Sequence, residues 1–428
     1  MFILYSALMA LGLLLTSPYW LVQMLRLGKY RAGLGERLGR VPPRILGGYG
    51  QRIIWIHAVS VGEVLAISEV VVALREALPN HRVVISTTTH TGQKLARERF
   101  GEEHVFYFPL DFGFCIRPYV RALRPALVVV AETEFWPNFL RTVRKSGARV
   151  AVVNARISDR SFPRYRTWRG LLSRVLQFVD LFLAQSEEDA RRLHDIGASP
   201  ERVHISGNLK FDVKPPEEVK VVGTLREMLS KWSASPVIVA GSTVEGEEEL
   251  VLAAFQEVLE KHARAVLLLA PRHRERFDSV RSALEKSGIK WSARSALGES
   301  SDLAGSVLLL DSLGELASVY ALADVAFVGG SLVPRGGHNI LEPAHWGVAT
   351  TVGPHTENFR DIISIFRQAN AVRVVEPKAL GVEFLELLAN DGERLALGRR
   401  ARQVTEQQMG ATQRTLAALR ALMEESAP

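Results

Sequence analysis

Short apolar runs alternate with segments of helical periodicity along most of this 428-residue chain, and the alternation starts twice. Runs at 53–58, 83–86, 126–131, 150–153 and 181–184 have the length and apolar continuity of strands buried on both faces. Helix-like segments separate them, and strand-helix alternation predicts a parallel sheet, because parallel neighbours need a crossover long enough for a helix. Around Val213-Lys214-Pro215-Pro216-Glu217-Glu218, prolines and mixed charge interrupt the pattern as an interdomain linker does. The alternation resumes with strands expected at 236–240, 265–270, 307–310, 325–328 and 349–352. The predicted fold class is therefore α/β, with doubly wound domains over 31–213 and 214–394. A chain this long exceeds one ordinary core. No fixed-period repeat is present, which excludes a solenoid. A last amphipathic pattern at 395–425 predicts a long C-terminal helix, in a segment 395–428 that packs back on the domains.

The first 25 residues carry no charge, and residues 2–15 are almost wholly apolar. Basic residues come afterwards, at Arg26, Lys29, Arg31, Arg37 and Arg40, the reverse of a secretory signal. That order predicts an uncleaved membrane anchor over 1–30 with the body in the cytoplasm. Pro18 leaves two forms open, a helix that crosses the bilayer or one that ends early and lies in the interface. The basic, Gly/Pro-containing stretch 30–50 reads as a tether along lipid headgroups. The formal net charge of +7 favours a negatively charged partner without choosing among nucleic acid, membrane and anionic substrate. The single cysteine, Cys115, excludes an intramolecular disulfide and a cysteine zinc cluster, and beside Phe112 and Phe114 it reads as a core residue.

Candidate chemistry collects where strands end. The run 53–58 passes through Val59-Ser60-Val61-Gly62 to Glu63, and a helix is expected over 64–78. In open α/β sheets that carboxyl edge is where ligands bind. Ser60-x-x-Glu63 also matches a capping box in which Glu63 bonds back to the Ser60 amide, so capping and catalysis are both open. The run 126–131 ends in Glu132-Thr133-Glu134-Phe135-Trp136-Pro137-Asn138, and extended-chain alternation would point Glu132 and Glu134 to one side. Carboxylates sharing a cleft perturb each other's pKa and can hold a base near its working range.

In the second half, Gly241-Ser242-Thr243 and Pro271-Arg272-His273 each follow a strand and suit a nucleotide phosphate. The stretch from Gly329-Gly330-Ser331 to Gly336-Gly337-His338-Asn339-Ile340-Leu341-Glu342-Pro343 combines a glycine-rich turn with a helix expected to open near His338. Asn339 and Glu342 would share a helical face, from which a carboxylate can accept both hydroxyl protons of a ribose. The stretch is neither a Walker loop nor a Gly-x-Gly-x-x-Gly fingerprint. His338 has only His345 as a plausible co-ligand, so no metal is expected.

Together these segments resemble the bacterial 3-deoxy-D-manno-octulosonic acid (Kdo) transferases. The resemblance rests on His57-Ala58-Val59-Ser60-Val61-Gly62-Glu63, Glu132-Thr133-Glu134-Phe135-Trp136-Pro137-Asn138, Gly207-Asn208-Leu209-Lys210-Phe211-Asp212, Pro271-Arg272-His273, Leu313-Gly314-Glu315-Leu316 and Gly337-His338-Asn339-Ile340-Leu341-Glu342-Pro343. It implies a GT-B fold of two Rossmann-like domains facing a central cleft. It also implies an inverting glycosyltransferase that moves Kdo from CMP-Kdo onto a lipid A precursor (lipid IVA) in lipopolysaccharide synthesis at the cell inner membrane. On that resemblance Glu63 is the general base, and Glu132 and Lys210 assist the transition state. Pro271, Arg272, Leu313, Gly314, Glu315, Asn339, Ile340, Leu341 and Glu342 contact CMP, and no cofactor is implied beyond the donor.

The basic-aromatic segment 156–169, with Arg160, Arg164, Tyr165, Arg166 and Trp168, is assigned to lipid phosphates or anionic headgroups, against the alternative of a solvated helix start. Two competing functions stay in view. One is another GT-B sugar-nucleotide enzyme, an epimerase or N-acetylglucosaminyl transferase. The other is a non-catalytic membrane-tethered binding protein. No nucleic-acid-reading module is recognisable, so no nucleic-acid partner is expected.

Overall fold

The computed structural model describes residues 1–27, 32–47, 50–213, 220–298 and 301–424. The linker expected at 213–218 lies outside the described residues beyond Val213, as do Lys29 and Arg31. The chain divides into two compact units, Met1–Val213 with Met409–Pro428, and Lys214–Gln408.

The first unit is a parallel sheet of β1 (Arg52–His57), β2 (His81–Thr87), β3 (Val105–Tyr107), β4 (Pro125–Ala131), β5 (Arg149–Ala155), β6 (Leu181–Ala184) and β7 (Val203–Ile205), in the order β3-β2-β1-β4-β5-β6-β7. Side chains alternate between its two faces. Trp55, Val84, Val128, Val130, Val150 and Val152 build one core, and Ile54, Ile56, Ile85, Val129, Ala151 and Val153 build the other. Both faces are covered, which is why the strands read as continuous apolar runs.

The second unit repeats the plan with β8 (Val237–Thr243), β9 (Val266–Pro271), β10 (Trp291–Ala293), β11 (Ser306–Leu309), β12 (Val325–Val328), β13 (Ala349–Val352) and β14 (Arg373–Val374), in the order β10-β11-β9-β8-β12-β13-β14. All its pairings are parallel too. The strands that the sequence pattern does not reveal are β3, β7, β10 and β14, which are the edges of the two sheets. Edge strands pair on one side only and stay short, so they carry little periodic signal.

One point left open near the N-terminus is decided and two expectations change. The helix Phe2–Leu27 runs straight through Pro18. Proline has no N–H for the Leu14 carbonyl, and the Ser17 hydroxyl donates to that carbonyl instead, at 2.7 Å. The stretch read as a headgroup tether belongs largely to the fold, with residues 30, 31, 48 and 49 outside the description. Ile45 is fully buried, the Glu36 carboxylate accepts the Tyr107 amide at 2.7 Å, and the Tyr119 hydroxyl donates to the Glu36 and Arg40 carbonyls.

The single C-terminal helix expected at 395–425 is two helices, Asp391–Gln408 and Ala411–Glu424. They break at Gly410, whose φ of 96° suits glycine. Asp212 holds the break by accepting the Gly410 amide at 2.7 Å and the Thr412 amide at 2.5 Å. The first of these helices packs on β13 in the second unit, and the other on helix Val61–Ala77 in the first.

Candidate active site

β1 and β4 are neighbours although β2 and β3 intervene in sequence, so the chain leaves their carboxyl ends in opposite directions and opens a crevice. Glu63 and Glu132 flank it. The helix after β1 starts at Val61, earlier than expected, which puts Glu63 in its first turn. Ser60 caps that turn, its Oγ accepting the Glu63 amide at 3.5 Å. The Glu63 carboxylate reaches back to accept the Val59 amide at 2.8 Å and the Ser60 hydroxyl at 3.0 Å. A capping box therefore exists, closed on Val59 and the hydroxyl rather than on the Ser60 amide.

The capping contacts leave the Glu63 carboxylate titratable. The side chain is 9% exposed, and burial, followed by the charge of Glu132, pushes its pKa up to about 7. Glu134 adds a smaller push in the same direction. A carboxylate that titrates near neutrality, held by two donors, has the properties of a general base.

Glu132 and Glu134 converge for a different reason from strand alternation. β4 ends at Ala131, and Glu132 turns into the left-handed region with φ 55°, its amide still bonded to the Val153 carbonyl. A non-glycine residue there is held in a strained conformation by its surroundings. Lys210 Nζ lies 4.0 Å from Glu132 Oε1.

The loop carrying Lys210 is clamped to the ends of β5 and β6. Asn154 Oδ1 accepts the Leu209 amide at 3.0 Å, Asn208 Oδ1 accepts the Lys210 amide at 3.0 Å, and Asn208 Nδ2 donates to Gln185 Oε1 at 2.9 Å. Gln185 Nε2 closes the network on the Asn154 carbonyl at 3.0 Å. Asn154 and Gln185 do not figure in the sequence reading. Their signal is a polar residue at the end of an apolar strand.

Two residues of the neighbouring motifs are structural. His57 is fully buried, stacks on Phe108 at 3.8 Å and shares Nδ1 with Ser86, and burial drives its pKa down to about 3. Cys115 is fully buried, and its thiol pKa rises to about 11. The segment 156–169 places Arg160, Arg164, Arg166 and Trp168 on the surface. Its Tyr165 is half-buried and senses the charge of Glu134.

In the second unit the corresponding crevice opens between β8 and β12. Its centre is a residue that local spacing does not single out, Glu247. This carboxylate is fully buried and accepts the amides of Val244 at 3.0 Å, Gly330 at 2.6 Å, Ser331 at 2.9 Å and Leu332 at 2.8 Å. It staples the turn after β8 to the glycine turn after β12. A Cβ on Gly329 would lie 2.7 Å from the Ser242 carbonyl oxygen and 2.7 Å from Thr243 Cα, so only glycine permits that approach.

Pro271 ends β9, and the Arg272 amide donates to the Thr243 carbonyl at 2.9 Å. His338 has its pKa lowered to about 4, first by burial and then by Arg272 and His273. Arg272 also offsets the burial that raises the pKa of Glu342, so Arg272, His338 and Glu342 form one constellation. Asn339 and Glu342 do meet, at 3.3 Å, and Asn339 Oδ1 accepts the Leu341 amide at 3.2 Å. The helix expected to open near His338 is only Leu341–His345, with Ile340 and Leu341 buried in its support.

Leu313, Gly314 and Glu315 lie in the loop after β11, at the carboxyl edge next to β9. Leu313 is exposed, Gly314 has φ 85°, and Glu315 accepts the Ser312 hydroxyl and sits 3.5 Å from Arg294. Among the described residues, no three His, Cys, Asp or Glu side chains are grouped to hold a metal ion.

Residues 32–213 match the protein family described as 3-deoxy-D-manno-octulosonic-acid transferase (kdotransferase). The chain is 34% identical over 408 residues to the 3-deoxy-D-manno-octulosonic acid transferase of Haemophilus influenzae, covering 93% of each chain. It is 37% identical to the Bordetella pertussis enzyme of the same name, covering 86% of each. The crystal structure of UDP-GlcNAc 2-epimerase from Neisseria meningitidis bound to UDP-GlcNAc superposes with a TM-score of 0.60, covering 87% of this chain and 100% of that one at 13% identity. That likeness shows a GT-B-type fold and nothing about substrate. With its motifs placed at the carboxyl edges of two doubly wound sheets, this chain belongs to the family of 3-deoxy-D-manno-octulosonic acid transferases, and it is a glycosyltransferase.

Proposed function

We propose that the protein transfers Kdo from CMP-Kdo to a lipid A precursor, with inversion at the anomeric carbon, at the cytoplasmic face of the inner membrane. The observation that carries this reading is Glu63, a buried carboxylate beside Glu132 whose pKa of about 7 matches the task of taking a proton from a sugar hydroxyl. The activated oxygen attacks the anomeric carbon of Kdo as the bond to CMP breaks, so a single displacement inverts the centre. Lys210 and Glu132 assist that transition state from the same crevice.

In the second unit, Arg272 suits the phosphate and Glu342 the ribose hydroxyls. The half-buried His338, beside Arg272 and with its pKa lowered to about 4, supplies a neutral hydrogen-bonding edge rather than a charge. Asn339, Ile340 and Leu341 position Glu342, Pro271 positions Arg272, and Leu313 to Glu315 offer a loop to the base. On this reading the exposed Arg160, Arg164 and Arg166 meet the acceptor's phosphates, and the helix Phe2–Leu27 associates with lipid.

Incubating the purified protein with CMP-Kdo and tetraacylated lipid A precursor, then weighing the glycolipid, tests the proposal. A product heavier by one or more Kdo units supports it, and unchanged acceptor sinks it. Thermal protection by CMP but not UDP is expected for the same donor site, and the reverse selectivity would favour another sugar-nucleotide enzyme.

A further inference from the structure

The apolar helix Phe2–Leu27 makes definite contacts with the first unit through its first turns. Residues 2, 5, 6 and 9 are half-buried along one helical stripe, whereas 10–16 are all exposed. The Phe2 ring lies under the Arg141 guanidinium at 4.5 Å and 5.9 Å from the Phe178 ring. The Tyr5 hydroxyl bonds the Asp111 carboxylate, and Asn138 Nδ2 donates to Ser6 Oγ at 2.9 Å. Asp111 also accepts the amides of Asn138 and Phe139, at 3.1 and 2.7 Å, so it ties the helix to the segment that follows Glu132 and Glu134.

The chain after the helix comes back to the same place. The Leu110 amide donates to the Arg37 carbonyl at 2.8 Å, and Leu110 is the residue next to Asp111. Residues 5 and 37 therefore meet on consecutive residues of one loop. A helix that crossed a bilayer would put residue 5 on the side opposite residue 37, because its 26 residues extend about 39 Å against a hydrocarbon core of about 30 Å.

We infer that Phe2–Leu27 is a monotopic element that lies in the plane of one anionic leaflet, docked to the body by Tyr5, Ser6, Asp111 and Asn138. The inference rests on the membrane association proposed above. The exposed side chains Ile3, Leu4, Leu8, Leu11, Leu14 and Leu15 enter the acyl boundary. The helix Arg169–Leu176, which leads directly to Phe178, adds exposed Leu171 and, just before it, exposed Trp168. The exposed Arg160, Arg164, Arg166, Arg169 and Arg174 of that region attract the anionic headgroups. Asp111 and Asn138 thereby hold the crevice carboxylates at a set height over the leaflet that supplies the lipid acceptor.

The test uses the full chain bound to phosphatidylethanolamine/phosphatidylglycerol vesicles, with a fluorophore on Leu4→Cys, Leu11→Cys or Leu15→Cys in turn. Native Cys115 is buried and stays unlabelled. Quenching by spin-labelled lipids should report one shallow depth for all three positions, about 5–10 Å below the headgroups. A crossing helix would separate Leu4 from Leu11 by about 10 Å of depth, and that profile overturns the inference. A short bifunctional thiol reagent should also link Ser6→Cys to Asn138→Cys on the vesicles, and failure to link them counts against the docked helix. Co-sedimentation read on the same samples separates the two levels. Protein that binds vesicles with a steep depth profile refutes only the in-plane placement. Protein that leaves the vesicles in the supernatant refutes membrane association itself.

Discussion

Glu63 and Glu247 occupy matching places in the two units, each at the start of the helix that follows the first strand of its sheet and each beside the crevice. Their wiring separates them. Glu247 is fully buried and accepts four backbone amides, which pin the glycine turn after β12 to the turn after β8. Glu63 has only two donors, and burial, followed by the charge of Glu132, raises its pKa to about 7, where it can exchange a proton. One topological position thus serves as a staple in one sheet and as a candidate base in the other, according to how many donors face it.

The strongest way to break this contrast is Glu63→Gln. Turnover should fall by about 10²–10⁴-fold with the melting temperature maintained. An enzyme within a few-fold of wild type would end the assignment of Glu63 as base. Glu247→Gln should behave in the opposite sense, with stability lower by about 3 kcal/mol and CMP protection lost, since the new amide points hydrogens at backbone donors. Thermal melts with and without CMP check it.

The titration of Glu63 sharpens the comparison. Its folded pKa is raised from 4.5 to about 7, so the folded state binds the extra proton between those values. Stability from this group is present below about pH 4.5 and is lost as pH rises toward 7. Asp111, also raised to about 7, contributes the same trend, so the measurement is wild type minus Glu63→Gln, which should decline by about 2–3 kcal/mol over that window. Turnover should instead climb through pH 7 as the base ionises, and Glu132→Gln should move that limb to lower pH.

Smaller effects concern positioning. Asn154→Ala releases the Leu209 amide and the Lys210 loop, with an expected stability loss of about 1–2 kcal/mol and a fall in kcat, while CMP protection is unchanged. Replacing Arg164 or Arg166 by Ala should raise the acceptor KM by about fivefold each, without weakening CMP binding. The reverse pattern would remove the acceptor role of that segment.

The interior strands of both sheets and the carboxylates at their ends were legible from residue order. Strands such as 181–184 and 325–328 coincide with the observed elements because burial on both faces demands an unbroken apolar run. Glu63 and Glu132 follow such runs closely, and Glu342 follows the glycine-rich turn after another, so position along the chain locates them. The turn at Glu132 was misread as extended, because nothing local announces a left-handed glutamate. The C-terminal helix break was missed because Asp212, about 200 residues away in sequence, is what holds it.

Residue order alone thus determined which segments become the interior strands, and which carboxylates follow them, because periodicity and strand-end position are local properties. Tertiary structure decided the rest: which carboxylate is stapled by four amides and which faces a second carboxylate, how the Lys210 loop is clamped, and where the first apolar helix docks. Those outcomes depend on donors and charges that arrive from distant parts of the chain. A buried polar group takes its partners from spatial neighbours, and no local pattern encodes them.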